Sequence, residues 1–246
     1  MTPVLLVAAL LIGCLLAAQA SANLQLDKAV GTPHGASTLQ LWLAVAVLAV
    51  LAAVIGAFGA LAGLADVPAW YLLGGLASPL YITSGILLFP RTGALAAGGL
   101  FVTGQMLASV AIDLFGLFGL PRQPLTAGML VGALAVLAGI TLIVRGRPAR
   151  VPAMAPAGGR AGTQPPLPAR AATGGWLLLG PVAGAVLPVQ GAVNARLRSV
   201  LEVPIAVALV SFVVAALTIS VVLAALLITG RTAPPRPPGA GMPWWG

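Results

Sequence analysis

The chain has 246 residues, of which 60% are hydrophobic and only 7% are charged. A soluble domain carries about 25% charged residues, so this composition excludes a soluble globular protein and predicts an all-α polytopic membrane bundle. Although the net charge is +8, the cations lie in short segments between apolar runs, so no nucleic-acid partner is expected. A single cysteine, Cys14, and a single histidine, His34, cannot build a zinc site, and we expect neither metal nor cofactor.

Seven apolar runs are long enough to cross a bilayer, whose hydrocarbon core takes about 20 residues of helix. In chain order they cover residues 4–22, 39–64, 70–89, 93–115, 125–144, 175–195 and 203–229. Asp113 is the only formal charge within these runs. Short connections rich in Gly and Pro separate most of them, which predicts that successive helices are antiparallel neighbours.

Two segments are too polar and too rich in proline to span a membrane, and they set the predicted domain organisation. The predicted parts are a five-span unit at 1–144, an Arg-, Pro- and Gly-rich linker at 145–173, two further spans at 174–229 and a Pro-rich tail at 230–246. The tail ends in Pro243-Trp244-Trp245, which echoes Pro68-Ala69-Trp70 at the start of the third run. We therefore expect the tail to contain the beginning of a further span.

The first run also has features of a signal peptide. It ends in the small-residue sequence Ala18-Gln19-Ala20-Ser21-Ala22, and Leu11-Ile12-Gly13-Cys14 is similar to a lipoprotein cleavage box. However, neither Lys nor Arg precedes the run, whereas a signal peptide carries a basic n-region. We favour a transmembrane helix and keep cleavage as the alternative.

An internal repeat relates the two parts of the chain at a constant offset of 171 residues. Gln19 pairs with Gln190, Asn23 with Asn194, and Pro33 with Pro204. Because the first copy contains five spans, an odd number, the second copy enters the membrane the other way up. Inverted repeats of this kind are typical of secondary transporters. The alternative is a duplicated packing scaffold without transport activity.

The chain also contains longer motifs, which are FPRTGA at 89–94, GQMLAS at 104–109, DLFGLFGLP at 113–121 and PVQGAVNARL at 188–197. These motifs resemble the YdcZ-type family of the drug/metabolite transporter (DMT) superfamily. The resemblance covers most of the chain outside the linker. It implies a bacterial inner-membrane bundle of five-span units, used in pairs or as fused ten-span chains, that moves small solutes.

The chain departs from that family pattern in two respects. It contains only the first two spans of a second unit, and its opening helix has Ala17-Ala18 where the second copy has Pro188-Val189. The incomplete second repeat places autonomous transport in doubt. One interpretation is that a homo- or hetero-oligomer completes the second repeat, and another is that the chain is a truncated, inactive fragment.

Two amide pairs are candidates for the substrate pathway. Gln19 and Asn23 lie four residues apart and therefore share a helix face, as do Gln190 and Asn194. A carboxamide in hydrocarbon needs a polar partner, so each face should point into the bundle or into a wet cavity. The functional interpretation is a solute-lining pair from each repeat. The structural alternative is that these amides form hydrogen bonds between helices or cap helix ends.

The fourth run carries a polar stripe of Gln105, Ser109 and Asp113 at i, i+4 and i+8. These residues drift only about 80° around a helix, so Gln105 and Ser109 join the predicted substrate pathway. An acid inside a membrane span is a candidate for ion coupling. Asp113 also lies near the end of its run, where a structural pair with Arg122 is the favoured alternative.

The sequence contains no motif for ATP use and too few histidines and acids for hydrolytic chemistry. We therefore predict that the protein is not an enzyme. The predicted function is a secondary transporter, embedded in membrane lipid, that moves a small-molecule solute across the bacterial inner membrane. The alternative is a non-transporting scaffold or inactive fragment.

Overall fold

The computed structural model describes residues 3–145 and 173–236, and these residues are arranged as helices and connecting segments without a β-strand. Within these described residues, seven helices are long and apolar enough to cross a membrane. The α-helices are α1 (Pro3–Val30), α2 (Pro33–Val54), α3 (Ala77–Thr92), α4 (Ala94–Phe115), α5 (Ala127–Arg145), α6 (Thr173–Leu201) and α7 (Pro204–Ile228). The all-α polytopic bundle expected from the sequence is confirmed.

The helices at the first connection extend well beyond the predicted apolar runs. α1 continues to Val30, whereas its run ends at residue 22, and α2 begins at Pro33 rather than at residue 39. An apolar run marks the hydrocarbon core, but a helix continues into the polar interface as long as its backbone bonds are satisfied. The side chain of Thr32 caps α2 by accepting a 3.2 Å hydrogen bond from the Gly35 amide.

The second span ends earlier than predicted. α2 stops at Val54, Gly56 takes a left-handed conformation (φ 69°), and residues Ala57–Asp66 form a 3₁₀ helix. Apolar composition alone therefore overestimated the second α-helix by ten residues. The third span, Ala69–Thr92, begins as a 3₁₀ helix at Ala69–Leu76 and continues as α3.

The described residues divide into two compact units. One unit draws on residues 3–87 and 186–236, and the other on residues 88–145 and 173–185. The predicted linker at 145–173 lies outside the described residues except for its first and last residue. The predicted start of a further span at 243–245 lies wholly outside them. The predicted domain boundaries therefore stay a prediction.

In the first unit, the connection between α1 and α2 is repeated 171 residues later as the connection between α6 and α7. α1 ends at Val30 and α6 at Leu201, and α2 and α7 then begin at Pro33 and Pro204. Gly31 and Glu202 occupy the first position after each helix, and both have positive φ, at 83° and 58°. The internal repeat is thus also a repeat of backbone conformation.

The equivalent helices α2 and α7 pack against each other in antiparallel orientation. In the first half of α2, Trp42 Nε1 donates a 3.0 Å hydrogen bond to Ser220 Oγ in the second half of α7. Near the end of α2, Ala52 shares an apolar cluster with Leu209 of early α7. Antiparallel packing of equivalent helices is what an inverted repeat requires, so the inversion predicted from the odd number of spans in the first copy is present in this unit.

In the second unit, the backbones of α4 and α6 approach closely. A Cβ added to Gly104 of α4 would overlap the carbonyl group of Pro181, and one added to Gly184 of α6 would overlap the carbonyl group of Phe101. Glycine is needed at such a contact because any side chain would separate the two helices. The Arg91 guanidinium stacks over the Trp176 ring, 4.1 Å from its centroid.

Candidate solute pathway

The amide pair of α6 lies against the third span and α7. Gln190 Nε2 donates a 3.0 Å hydrogen bond to Ser78 Oγ, and Asn194 Oδ1 accepts a 2.7 Å hydrogen bond from Ser211 Oγ. Gly74 faces Asn194, since a Cβ on this glycine would lie 2.5 Å from Asn194 Oδ1. The pairing of Gln190 with Ser78 and of Asn194 with Gly74 shows that α6 and the third span run antiparallel.

The equivalent amide pair of α1 has a different environment. Gln19 is exposed and Asn23 is half-buried, while most apolar side chains along the first half of α1 are exposed. None of the most apolar 18-residue window of α1 is buried within the protein. The two copies therefore carry the same amides, but among residues 3–145 and 173–236 another span packs over those of the second copy only.

Three glutamines lie near the middle of their helices. Gln105 stands eleven residues after Ala94 and ten before Phe115, the ends of α4. Gln19 and Gln190 are each about three residues from the centre of α1 and α6, or about 5 Å along the axis at 1.5 Å per residue. Polar groups at this depth are costly in lipid and need partners within the protein or water.

The polar stripe of α4 is present as one helix face. Gln105, Ser109 and Asp113 are all half-buried. Asp113 lies two residues before the end of α4, and its backbone carbonyl accepts a 2.8 Å hydrogen bond from the Gln123 amide. Asp113 therefore lies in the last turn of α4, and its role in ion coupling stays a prediction.

The expected pair of Asp113 with Arg122 is not present. Arg122 Nε instead donates a 3.2 Å hydrogen bond to the Phe115 carbonyl, an acceptor left open at the end of α4. The described residues contain no ion pair between the two side chains. A guanidinium can donate hydrogen bonds either to the free carbonyls at a helix end or to a carboxylate. The sequence does not show which of these two acceptors Arg122 takes.

A family model described as "Putative inner membrane exporter, YdcZ" matches residues 4–142 and 175–246. The chain belongs to the YdcZ family. No curated protein and no solved structure matches it.

Membership of the YdcZ family agrees with the resemblance found in the sequence, and it assigns the protein to the inner membrane as a multi-pass protein. The family description names an exporter, which favours a transporter over an enzyme. It names no substrate.

Several residues that contact the amides of this YdcZ-family chain were not predicted from the sequence. Ser78, Ser211 and Gly74 are small residues of apolar spans, and such residues are common throughout the chain. The usable signal was spacing, because Gly74 and Ser78 lie four residues apart, like the amides that they face. Gln40 was also missed, and its Oε1 is buried with no hydrogen-bond partner in the described part of the chain.

Proposed function

We propose that this YdcZ-family protein is a secondary transporter that moves a small solute across the bacterial inner membrane. The observation that carries the proposal is the antiparallel packing of the repeat-equivalent helices α2 and α7. Inverted repeats place two similar halves in the membrane in opposite orientations, and transporters of this kind bind their substrates near the midplane where the halves meet. The family description favours export as the direction.

The proposed pathway residues in the first unit are the two amide pairs. Gln190 and Asn194 lie on one face of α6 with Ser78 and Ser211 beside them, so this region offers both donors and acceptors. A polar solute could exchange hydrogen bonds with these groups, as it does with water. Gln19 and Asn23 are proposed to have the same role in the first copy. For Gln105 and Ser109, a pathway role stays a prediction from the stripe on α4.

Reconstitution into liposomes tests the transport proposal. The full chain would be tested for uptake of neutral, cationic and anionic small solutes by stopped-flow light scattering. We expect saturable flux of at least one solute above that of protein-free liposomes. Gln190→Leu should reduce this flux, whereas Gln123→Leu, which removes an amide from the connection between α4 and α5, should not. Flux equal to that of empty liposomes, or equal loss in both variants, would reject the proposal.

Ion coupling by Asp113 is a separate hypothesis and needs its own measurement. If its carboxyl group carries the coupling proton, Asp113→Asn should abolish flux driven by a pH gradient while membrane insertion stays normal. Flux driven by a solute gradient alone should then remain. Unchanged pH-driven flux in Asp113→Asn would eliminate coupling at this residue.

A further inference from the structure

The segment that follows the second helix of each copy lies over the helix connection of the other copy. Residues 57–66 follow α2 and pack against the connection between α6 and α7, and residues 231–236 follow α7 and lie against the connection between α1 and α2. A left-handed glycine precedes each segment, Gly56 with φ 69° and Gly230 with φ 65°. We call these segments the helical strap (57–66) and the tail strap (231–236). Because α2 and α7 are antiparallel, the two straps cover opposite ends of the first unit.

An apolar cluster holds the helical strap in place. Leu61 and Leu64 of this strap pack against buried residues that include Leu197 and Leu201, near the end of α6. A Cβ added to Gly63 would lie 3.2 Å from the Leu201 side chain, so the strap and the connection are in close contact. Separating the helical strap would uncover several leucines at once, which is unfavourable wherever water reaches them.

The tail strap is held mainly through its backbone. The Arg236 amide donates a 2.9 Å hydrogen bond to the Val30 carbonyl at the end of α1. Pro235 lies at the start of α2, since a Cβ added to Gly35 would be 3.1 Å from Pro235 Cβ. Four residues of this strap are exposed, and both of its arginines are among them. Releasing the tail strap therefore uncovers less apolar surface than releasing the helical strap.

Hydroxyl side chains lie beneath the tail strap. Thr32 in the covered connection is buried, and Ser37, five residues later, is completely buried. Ser37 Oγ forms a 3.0 Å hydrogen bond with Thr83 Oγ1. Thr83 follows Ser78, the partner of Gln190, by five residues, or about 7.5 Å along the third span. Hydroxyl groups therefore lie between the tail-strap end of the unit and the amide face of α6, whereas leucines occupy the other end.

We propose that the tail strap is a releasable lid on the first unit. It separates from the connection between α1 and α2 and opens that end of the unit to water and solute, while the helical strap keeps the other end closed. The role of the lid in transport rests on the proposed function. Release of the strap does not, because it can be measured without a substrate.

Thiol labelling measures the release of each strap. Val30 and Leu201 are equivalent at the offset of 171, and they are 2% and 3% exposed beneath the tail strap and the helical strap. Each would be replaced by cysteine in a Cys14→Ser chain, which has no other cysteine. Lipid nanodiscs leave both ends of the unit accessible to a polar maleimide. Relative to unfolded protein, Val30→Cys should react at least about tenfold faster than Leu201→Cys, because labelling of a covered thiol follows the open population.

The hydrogen bond of the tail strap provides a matched pair of variants. Arg236→Pro removes the amide that donates to Val30, whereas Arg236→Ala keeps it. A hydrogen bond contributes roughly two- to tenfold to an equilibrium, so Arg236→Pro should speed labelling of Val30→Cys by about that factor. Arg236→Ala should leave this rate unchanged, and neither substitution should alter labelling of Leu201→Cys. Arg236 is exposed, so both variants leave the apolar core intact.

Equal labelling of Val30→Cys and Leu201→Cys would overturn the proposal, as would equal effects of Arg236→Pro and Arg236→Ala. In the liposome assay, Arg236→Pro should raise solute flux, and faster labelling without higher flux would eliminate the role of the strap as a lid. If labelling behaves as expected but the unmodified chain carries no flux, the proposed transport function fails and release of the strap stands. Circular dichroism would verify that each variant stays folded.

Discussion

Replacing Gly104 by alanine tests whether α4 and α6 depend on direct backbone contact. Gly104 is buried, and a Cβ at this position would overlap the carbonyl group of Pro181. Gly98 on the same helix is the matched control, because nothing lies within 4 Å of a Cβ built there. The two variants add the same methyl group to the same helix.

The expected difference follows from what the methyl group meets. Alanine improves helix propensity by about 1 kcal/mol at either position, so this gain cancels in the comparison. Overpacking costs about 1–3 kcal/mol when neighbours can shift. Since the obstacle at Gly104 is backbone and not a rotatable side chain, we expect the upper end, about 3 kcal/mol. At about 2–4 °C per kcal/mol for a chain of this size, Gly104→Ala should melt roughly 6–12 °C below Gly98→Ala.

This difference in melting temperature can be measured on detergent-solubilised protein, by heating samples and monitoring the folded fraction by size-exclusion chromatography. Gly98→Ala should melt at or slightly above the temperature of the unmodified chain. If Gly104→Ala melts together with Gly98→Ala, α4 and α6 do not make the described contact and the interpretation is wrong. Far-ultraviolet circular dichroism would show that helix content is unchanged at low temperature.

Three further substitutions can be measured in the same thermal assay or by fluorescence. Glu202→Gly should raise the free energy of unfolding by about 1 kcal/mol, because Glu202 has a positive φ of 58°. Gly31→Ala at the equivalent position should lower it. A loss of stability in Glu202→Gly, or a gain in Gly31→Ala, would contradict the repeat of backbone conformation. Ser211→Ala should cost about 0.6–2 kcal/mol through the lost hydrogen bond, and a neutral result would mean that this bond is not formed. Arg91→Gln should change the emission of Trp176, whose ring lies under the guanidinium, whereas an unchanged spectrum would show that the two groups are not stacked.

The spans were predictable because lipid imposes a simple rule on composition. A run of about 20 apolar residues has few alternatives to a membrane helix, and all seven runs contain one. The repeat was also visible, because Gln and Asn are scarce in such runs and stand out when they align. Both features depend on residue type and position along the chain alone.

The remaining features depend on three-dimensional neighbours. The end of α2 at Val54 follows from a left-handed Gly56 within an unbroken apolar run, where composition gives no signal. The partners of the amides are serines, which are equally compatible with facing lipid or protein. The predicted pair of Asp113 with Arg122 failed because the open carbonyl of Phe115 was an equally good acceptor.

The two-residue connections at 31–32 and 202–203 also restrict how the family can vary in length. Each helix advances about 100° per residue, so one inserted residue after Glu202 would rotate α7 by that angle about its axis. Ser211 would then turn away from Asn194, and the apolar side of α7 would turn away from α2. We therefore expect insertions and deletions among relatives to spare both connections, because each fixes the rotational register of the helix that follows it.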